Sequence, residues 1–73
     1  MWKQGVVNGY FWQAKVYYES SSFGIEGGRI SKLVICSTEY WDHDKVVYNY
    51  DRGLDINKIS KDILNLAIDE ASK

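Results

Sequence analysis

Between Trp2 and Tyr18 the chain reads as a pair of strands separated by Asn8-Gly9, with apolar residues recurring at every second position through Tyr10, Trp12, Ala14, Val16 and Tyr18. A period of two marks a half-buried strand. Asn-Gly supplies the two positive-φ residues of a type I′ turn, so the segment predicts a hairpin together with its register. Val7 faces Tyr10, Gly5 faces Trp12, Lys3 faces Ala14 and Trp2 faces Lys15. Tyr10, Trp12, Ala14, Val16 and Tyr18 then line the core side. Gly5 leaves room for the Trp12 indole. On the other side, Trp2 opposite Lys15 permits a cation–π contact.

The alternation stops between Glu19 and Gly28. Ser20, Ser21 and Ser22 precede Phe23, Gly24, Ile25, Glu26 and Gly27, which predicts a long connection with two apolar anchors. A third strand is expected from Arg29 to Cys36 and a fourth from Lys45 to Tyr50, both rich in β-branched or aromatic residues. Pairing Cys36 with Lys45 puts Ser31, Leu33 and Ile35 on one face with Val46, Tyr48 and Tyr50. Gly53 suits a left-handed turn after Asp51-Arg52. Asp55 then reads as a helix N-cap, its carboxylate at the positive end of the dipole. Ile56, Ile59, Ile63, Leu66, Ala67 and Ala71 form a helical stripe, with Leu64 and Ile68 on its shoulder. The pattern predicts one α+β domain over residues 1–73. Its architecture is ββββα: a four-stranded antiparallel sheet with one C-terminal helix packed on one face.

One helix covers one face. The second face is expected to carry Trp2, Gln4, Val6, Phe11, Gln13, Lys15 and Tyr17 from the first hairpin. Ile30, Lys32, Val34, Val47 and Asn49 would join them from the later strands. An uncovered antiparallel face is normally more polar than this. It is either ordinary surface, partly folded over by the long connection, or an interface for a partner or a second copy, as in a homodimer.

Composition sharpens that choice. A chain of 73 residues is short for a domain, and a core of this size supplies only about 3–5 kcal/mol. One cysteine, Cys36, allows no internal disulfide and argues for a reducing, cytoplasmic setting. No cofactor or metal set is evident. Aromatic residues nevertheless reach 15%, six of them Tyr. Such rings combine apolar area with a polar handle and are favoured at interfaces. Nine basic residues against ten acidic ones leave a net charge of −1. That balance disfavours nucleic acid as a partner, although Tyr and Trp on a sheet face resemble a stacking platform. No apolar run is long enough to span a membrane, and no secretory leader is visible.

Candidate chemistry is sparse. Asp42-His43-Asp44 reads as a solvated loop, because no second His or Cys stands at ligand spacing. Cys36 reads as an inert thiol at a strand end. Gly24-Ile25-Glu26-Gly27-Gly28-Arg29 could form a backbone anion nest with a bidentate arginine, or simply a flexible connection. It is neither a Walker loop nor a dinucleotide fingerprint. Arg29, Arg52 and Asp51 could form a charge network at the helix start, or line a ligand site with Gly27, Gly28 and a stacking Tyr50. No acid/base pair or nucleophile set emerges, so no enzymatic activity is expected.

Two runs carry a resemblance: Phe23-Gly24-Ile25-Glu26-Gly27-Gly28-Arg29-Ile30-Ser31-Lys32-Leu33, and Tyr48-Asn49-Tyr50-Asp51-Arg52-Gly53-Leu54-Asp55. With the opening Met1-Trp2-Lys3, they resemble a small, functionally uncharacterised family of bacteriophages, prophages and Gram-positive bacteria. Leu54 departs from it, standing where many relatives have Trp. The resemblance brings no catalytic residue. It implies a phage setting, in which small proteins often bind and inhibit host factors.

The expectation is therefore a non-enzymatic protein that occludes a host or defence protein. Trp2, Phe11, Tyr17, Phe23, Ile25, Tyr40 and Trp41 are its expected contacts. The alternatives are capture of a small anion such as a nucleotide, through Gly27, Gly28, Arg29, Tyr50 and Arg52, and binding of single-stranded nucleic acid.

Overall fold

Asn8 and Gly9 take φ values of 51° and 83°, both in the region a type I′ turn requires. The strands they join are β1 (Trp2–Val7) and β2 (Tyr10–Val16). Every pairing predicted for this hairpin is present, from Val7 opposite Tyr10 to Trp2 opposite Lys15. The computed structural model describes residues 1–18, 28–51 and 53–73. In it the chain continues as β3 (Ile30–Cys36), β4 (Val46–Asp51), β5 (Leu54–Asn57) and α1 (Lys61–Ser72). The sheet runs β1-β2-β3-β4-β5 in sequence order and is antiparallel throughout. It thus has five strands, not four, below one C-terminal helix.

The extra strand comes from residues expected to open the helix. Asn49 faces Ile56 and Tyr50 faces Leu54 across β4 and β5. The Lys58 N–H extends the pairing by donating to the Val47 carbonyl at 2.7 Å. Asp55 is therefore not the helix cap. Ser60 is: its Oγ accepts from the Ile63 N–H at 3.4 Å. Ile56 and Ile59 share helical spacing with Ile63, but sheet pairing outweighs that period for the β-branched Ile56.

The helix stripe is correspondingly rotated. Ala67 and Ala71 are fully buried, with Leu64 and Ile68 packed on the same core. These four fall at i, i+3, i+4 and i+7. Leu66, expected on the stripe, is exposed. The two alanines let the helix sit close over β1, β2 and β3. Beneath it lie Trp12, Ala14, Val16, Ile30, Leu33, Ile35 and Tyr48.

Two irregularities change which residues face the core. Between β2 and β3 the register shifts after Lys15, so Val16 faces Ile30 rather than Ser31. Ile30, expected on the open face, is buried in the core instead. Ser31 is buried as well, and its hydroxyl has no hydrogen-bond partner among the described residues. Between β3 and β4, Ile35 faces Tyr48 and Cys36 faces Val46. The expected pairing of Cys36 with Lys45 is therefore wrong, and Val46 and Val47 exchange faces. Val47 packs on the core, while Val46 lines a hollow with Val34 on the open face. An extra residue in one strand reverses the in/out alternation beyond it.

Gly5 shows how closely the hairpin is fitted. A Cβ there would lie 3.1 Å from the Trp12 indole. Trp12 is buried and has little freedom to retreat, so Gly5→Ala is expected to cost about 1–2 kcal/mol through overpacking. Thermal unfolding should show this as a lower midpoint.

Candidate interaction surface

The helix leaves the opposite face of the sheet uncovered, and that face is divided along its length. At one end, residues 37–45 fold back over it. The Phe11 N–H donates to the Thr38 carbonyl at 2.7 Å, and the Thr38 hydroxyl donates to the Tyr40 carbonyl at 2.8 Å. Asp42 caps a 3-10 turn at His43–Lys45, its carboxylate accepting from the Asp44 N–H at 3.0 Å. The Asp42 carbonyl in turn accepts from the Cys36 thiol at 3.6 Å. This connection buries Cys36 completely and half-buries Phe11. It also projects Tyr40 and Trp41 outward, 64% and 52% exposed.

At the other end Trp2 is 56% and Tyr17 40% exposed. The Lys15 ammonium lies 6.0 Å from the Trp2 ring centroid and 5.6 Å from that of Tyr17. The predicted Trp2–Lys15 contact thus exists, with Tyr17 added to it. Lys32 sits directly across from Lys15 and pairs with Asp51 at 3.7 Å.

Two hollows join these ends. One, of about 130 Å³, is lined by Trp2, Gln13, Lys32, Val34, Asn49 and Asp51, among others. The second, of about 380 Å³, is lined by Val34, Trp41, His43, Val46, Asn49 and Ile56. Val34 and Asn49 belong to both, so the hollows form one trough along β3 and β4. Alternation puts Lys32, Val34 and Asn49 on this face, although they are not among the expected contacts. Ile56 was missed because its spacing read as helix, and Val46 because the bulge was not visible.

Of the expected partner contacts, Trp2, Tyr17, Tyr40 and Trp41 are exposed and Phe11 is half-buried. Phe23 and Ile25 lie outside the described residues, as do Gly27 and Arg52 of the expected anion site. The remaining anion-site residues do not converge. Tyr50 faces Leu33 and packs on the core. Arg29 donates to the Ser72 carbonyl at 2.7 Å. Arg29 thus reaches the end of the helix, not its start, and Asp51 pairs with Lys32 instead.

A guanidinium beside the last carbonyls also complements the helix dipole. Arg29→Ala is expected to lower stability by about 0.5–1 kcal/mol, read as a reduced urea midpoint. Arg29→Lys should recover part of it. An unchanged midpoint would argue against this tie.

Among the described residues, no cluster of three or more His, Cys, Asp or Glu could hold a metal ion. His43 and Asp44 approach within 3.6 Å, but both are almost fully exposed. No described helix is long and apolar enough to cross a membrane. No curated protein and no solved structure matches the chain. A family match covers residues 1–70. The chain therefore belongs to the DUF7678 family, a domain of unknown function.

Proposed function

We propose that this chain is a non-enzymatic interaction protein of phage or prophage type. It acts in the cytoplasm by covering a functional surface of a host or defence protein with its open sheet face. The observation that carries this reading is an exposed tryptophan lining each end of one trough, Trp2 and Trp41, each with an exposed tyrosine nearby. Trp2 and Tyr17 stand at one end and Tyr40 and Trp41 at the other, all at least 40% exposed. Large aromatics with this exposure lose most by staying in water, and they dominate binding energy when buried. The phage setting rests on the resemblance of the Gly-Arg-Ile-Ser-Lys-Leu and Asn-Tyr-Asp-Arg-Gly runs. The cytoplasmic setting rests on the single, buried free cysteine.

Affinity capture from a Gram-positive host lysate tests the proposal. Wild type should retain a host protein that Trp41→Ala fails to retain. Retention of the same proteins by both would count against it. Light scattering on the purified chain covers the other occupant. A dimer broken by Trp41→Ala would assign this face to a second copy.

Small-anion capture is favoured by a separate observation. A hollow of about 160 Å³ is lined by Lys3, Tyr17, Tyr18, Arg29 and Lys73, together with Met1 and Val16. It gathers cations beside two tyrosine rings. A ligand at 100 times its Kd would add about 2.7 kcal/mol of stability. A nucleotide panel giving no thermal shift, or a shift unchanged in Lys3→Ala, removes that reading.

A further inference from the structure

We infer that two copies of this chain pair antiparallel along the outer edge of β1, with Gln4 on the two-fold axis. The two sheets then continue into each other. This is a second surface, the edge of the sheet, beyond the face proposed to meet a partner.

Hydrogen bonding comes first. Met1 and Val16 exchange both backbone bonds, at 3.0 and 2.8 Å. In an antiparallel ladder, bonded pairs alternate with unbonded ones. Lys3, Gly5 and Val7 therefore direct their N–H and C=O groups at β2, across from Ala14, Trp12 and Tyr10. Trp2, Gln4 and Val6 direct theirs the other way, to the outer edge. Among the described residues, β1 pairs with β2 alone. Residues 19–27 connect Tyr18 to Gly28, both beyond Met1 at one end of this edge. That connection spans about 36 Å at most. Travelling to the Gln4 edge and back takes about 41 Å, at about 3.3 Å per residue and about 4.8 Å per strand crossed. The outward groups of Gln4 and Val6 are thus beyond its reach.

The two edges of the sheet differ. β1 has six residues, no Pro and no register shift against β2. Edge strands are usually blunted by shortness, bulges or Pro. β5 is blunted: it has four residues, and its register against β4 shifts at Asp55.

Pattern comes second. Only the register centred on Gln4 matches all three outward-directed residues. It sets Gln4 against Gln4 of the second copy, and Trp2 against Val6 twice. Each bonded pair exchanges two main-chain hydrogen bonds. On the open face each exposed Trp2 then lies beside an exposed Val6, an aromatic–β-branched pair that stabilises a sheet. On the helix side Lys3, the one charged residue of β1, meets Gly5 and not its own counterpart. Pairing with itself therefore suits this strand in backbone, side chain and charge. Small domains also commonly complete their stability by oligomerisation. The axis stands normal to the sheet, so the two open faces look the same way.

Light scattering at the millimolar concentration of an NMR sample tests this. Wild type is expected to be a dimer. Gln4→Lys opposes two ammonium groups across the axis and should weaken dimerisation at least tenfold. Gln4→Glu should do the same with two carboxylates. Mixing the two variants should restore the dimer, because the opposed charges then attract. Gln4 is exposed, and thermal unfolding checks that each variant is folded. Hydrogen exchange should show the Gln4 and Val6 amides protected in wild type, with Val6 losing that protection in Gln4→Lys. A monomeric wild type overturns the inference. So does a dimer that survives both variants, a mixture that associates no better than either alone, or fast exchange at Gln4 and Val6 in the dimer. A dimer broken by Trp41→Ala and not by Gln4→Lys also overturns it, and moves the second copy to the open face.

Discussion

Trp12→Ala is expected to leave the chain largely unfolded at room temperature. Trp12 is 4% exposed. It is flanked by Gly5 on β1 and Ile35 on β3, and its indole occupies the space where Gly5 lacks a side chain. Removing a buried Trp costs about 3–5 kcal/mol through lost transfer energy and the cavity left behind. A core of this size supplies about the same amount in total. No disulfide is available to offset the loss, because the only cysteine is free. Far-UV circular dichroism under increasing urea should show no folded baseline for Trp12→Ala. Trp12→Phe, which keeps a ring, should retain a cooperative transition at a lower midpoint. A Trp12→Ala protein with the wild-type midpoint would mean that the hairpin does not face the helix.

Trp41→Ala is expected to do the reverse: preserve stability and weaken partner binding by an order of magnitude or more. Trp41 is half exposed and lies outside the core cluster. Surface truncations of this kind usually change stability by about 0.5 kcal/mol or less. As an interface anchor it should cost 2 kcal/mol or more, which corresponds to about 30-fold in Kd. Surface plasmon resonance against the captured host protein reads this directly. Leu66→Ala on the outer side of the helix is the matched control, because Leu66 is exposed away from the trough and should leave affinity unchanged. Equal losses for the two variants would mean that the partner does not choose the sheet face.

The parts of the fold legible in the sequence were those governed by local rules. Asn8-Gly9 determines a turn type, and the turn type determines the register of six residue pairs. The alternation in β2 identified Trp12, Ala14 and Val16 as core. Misreadings arose where long-range pairing competed with a local period. Ile56, Ile59 and Ile63 match a helix, yet Ile56 is captured by the free edge of β4. Bulges are equally silent in the sequence: nothing in Ser31 or Val47 announces that alternation will reverse there. Alternation alone therefore puts Ile30 and Val47 outside and Val46 inside, the reverse of their positions in the fold. For the candidate site, Trp2 and Tyr17 were visible from parity. Tyr40 and Trp41 stood out as large rings in a polar stretch. The trough between them depended on Val46 and Ile56, whose positions follow from the bulge and from β5.

The three tryptophans report on the central claim separately. Trp2 and Trp41 stand at opposite ends of the open face, and Trp12 lies under the helix. A ¹⁵N-labelled chain gives one indole N–H resonance for each. On titration with the captured host protein, the Trp2 and Trp41 indole signals should shift or broaden together, and that of Trp12 should stay in place. Changes confined to the helix residues Asp62, Leu66 and Asp69, with both exposed indoles unmoved, would contradict the assignment of function to the sheet face.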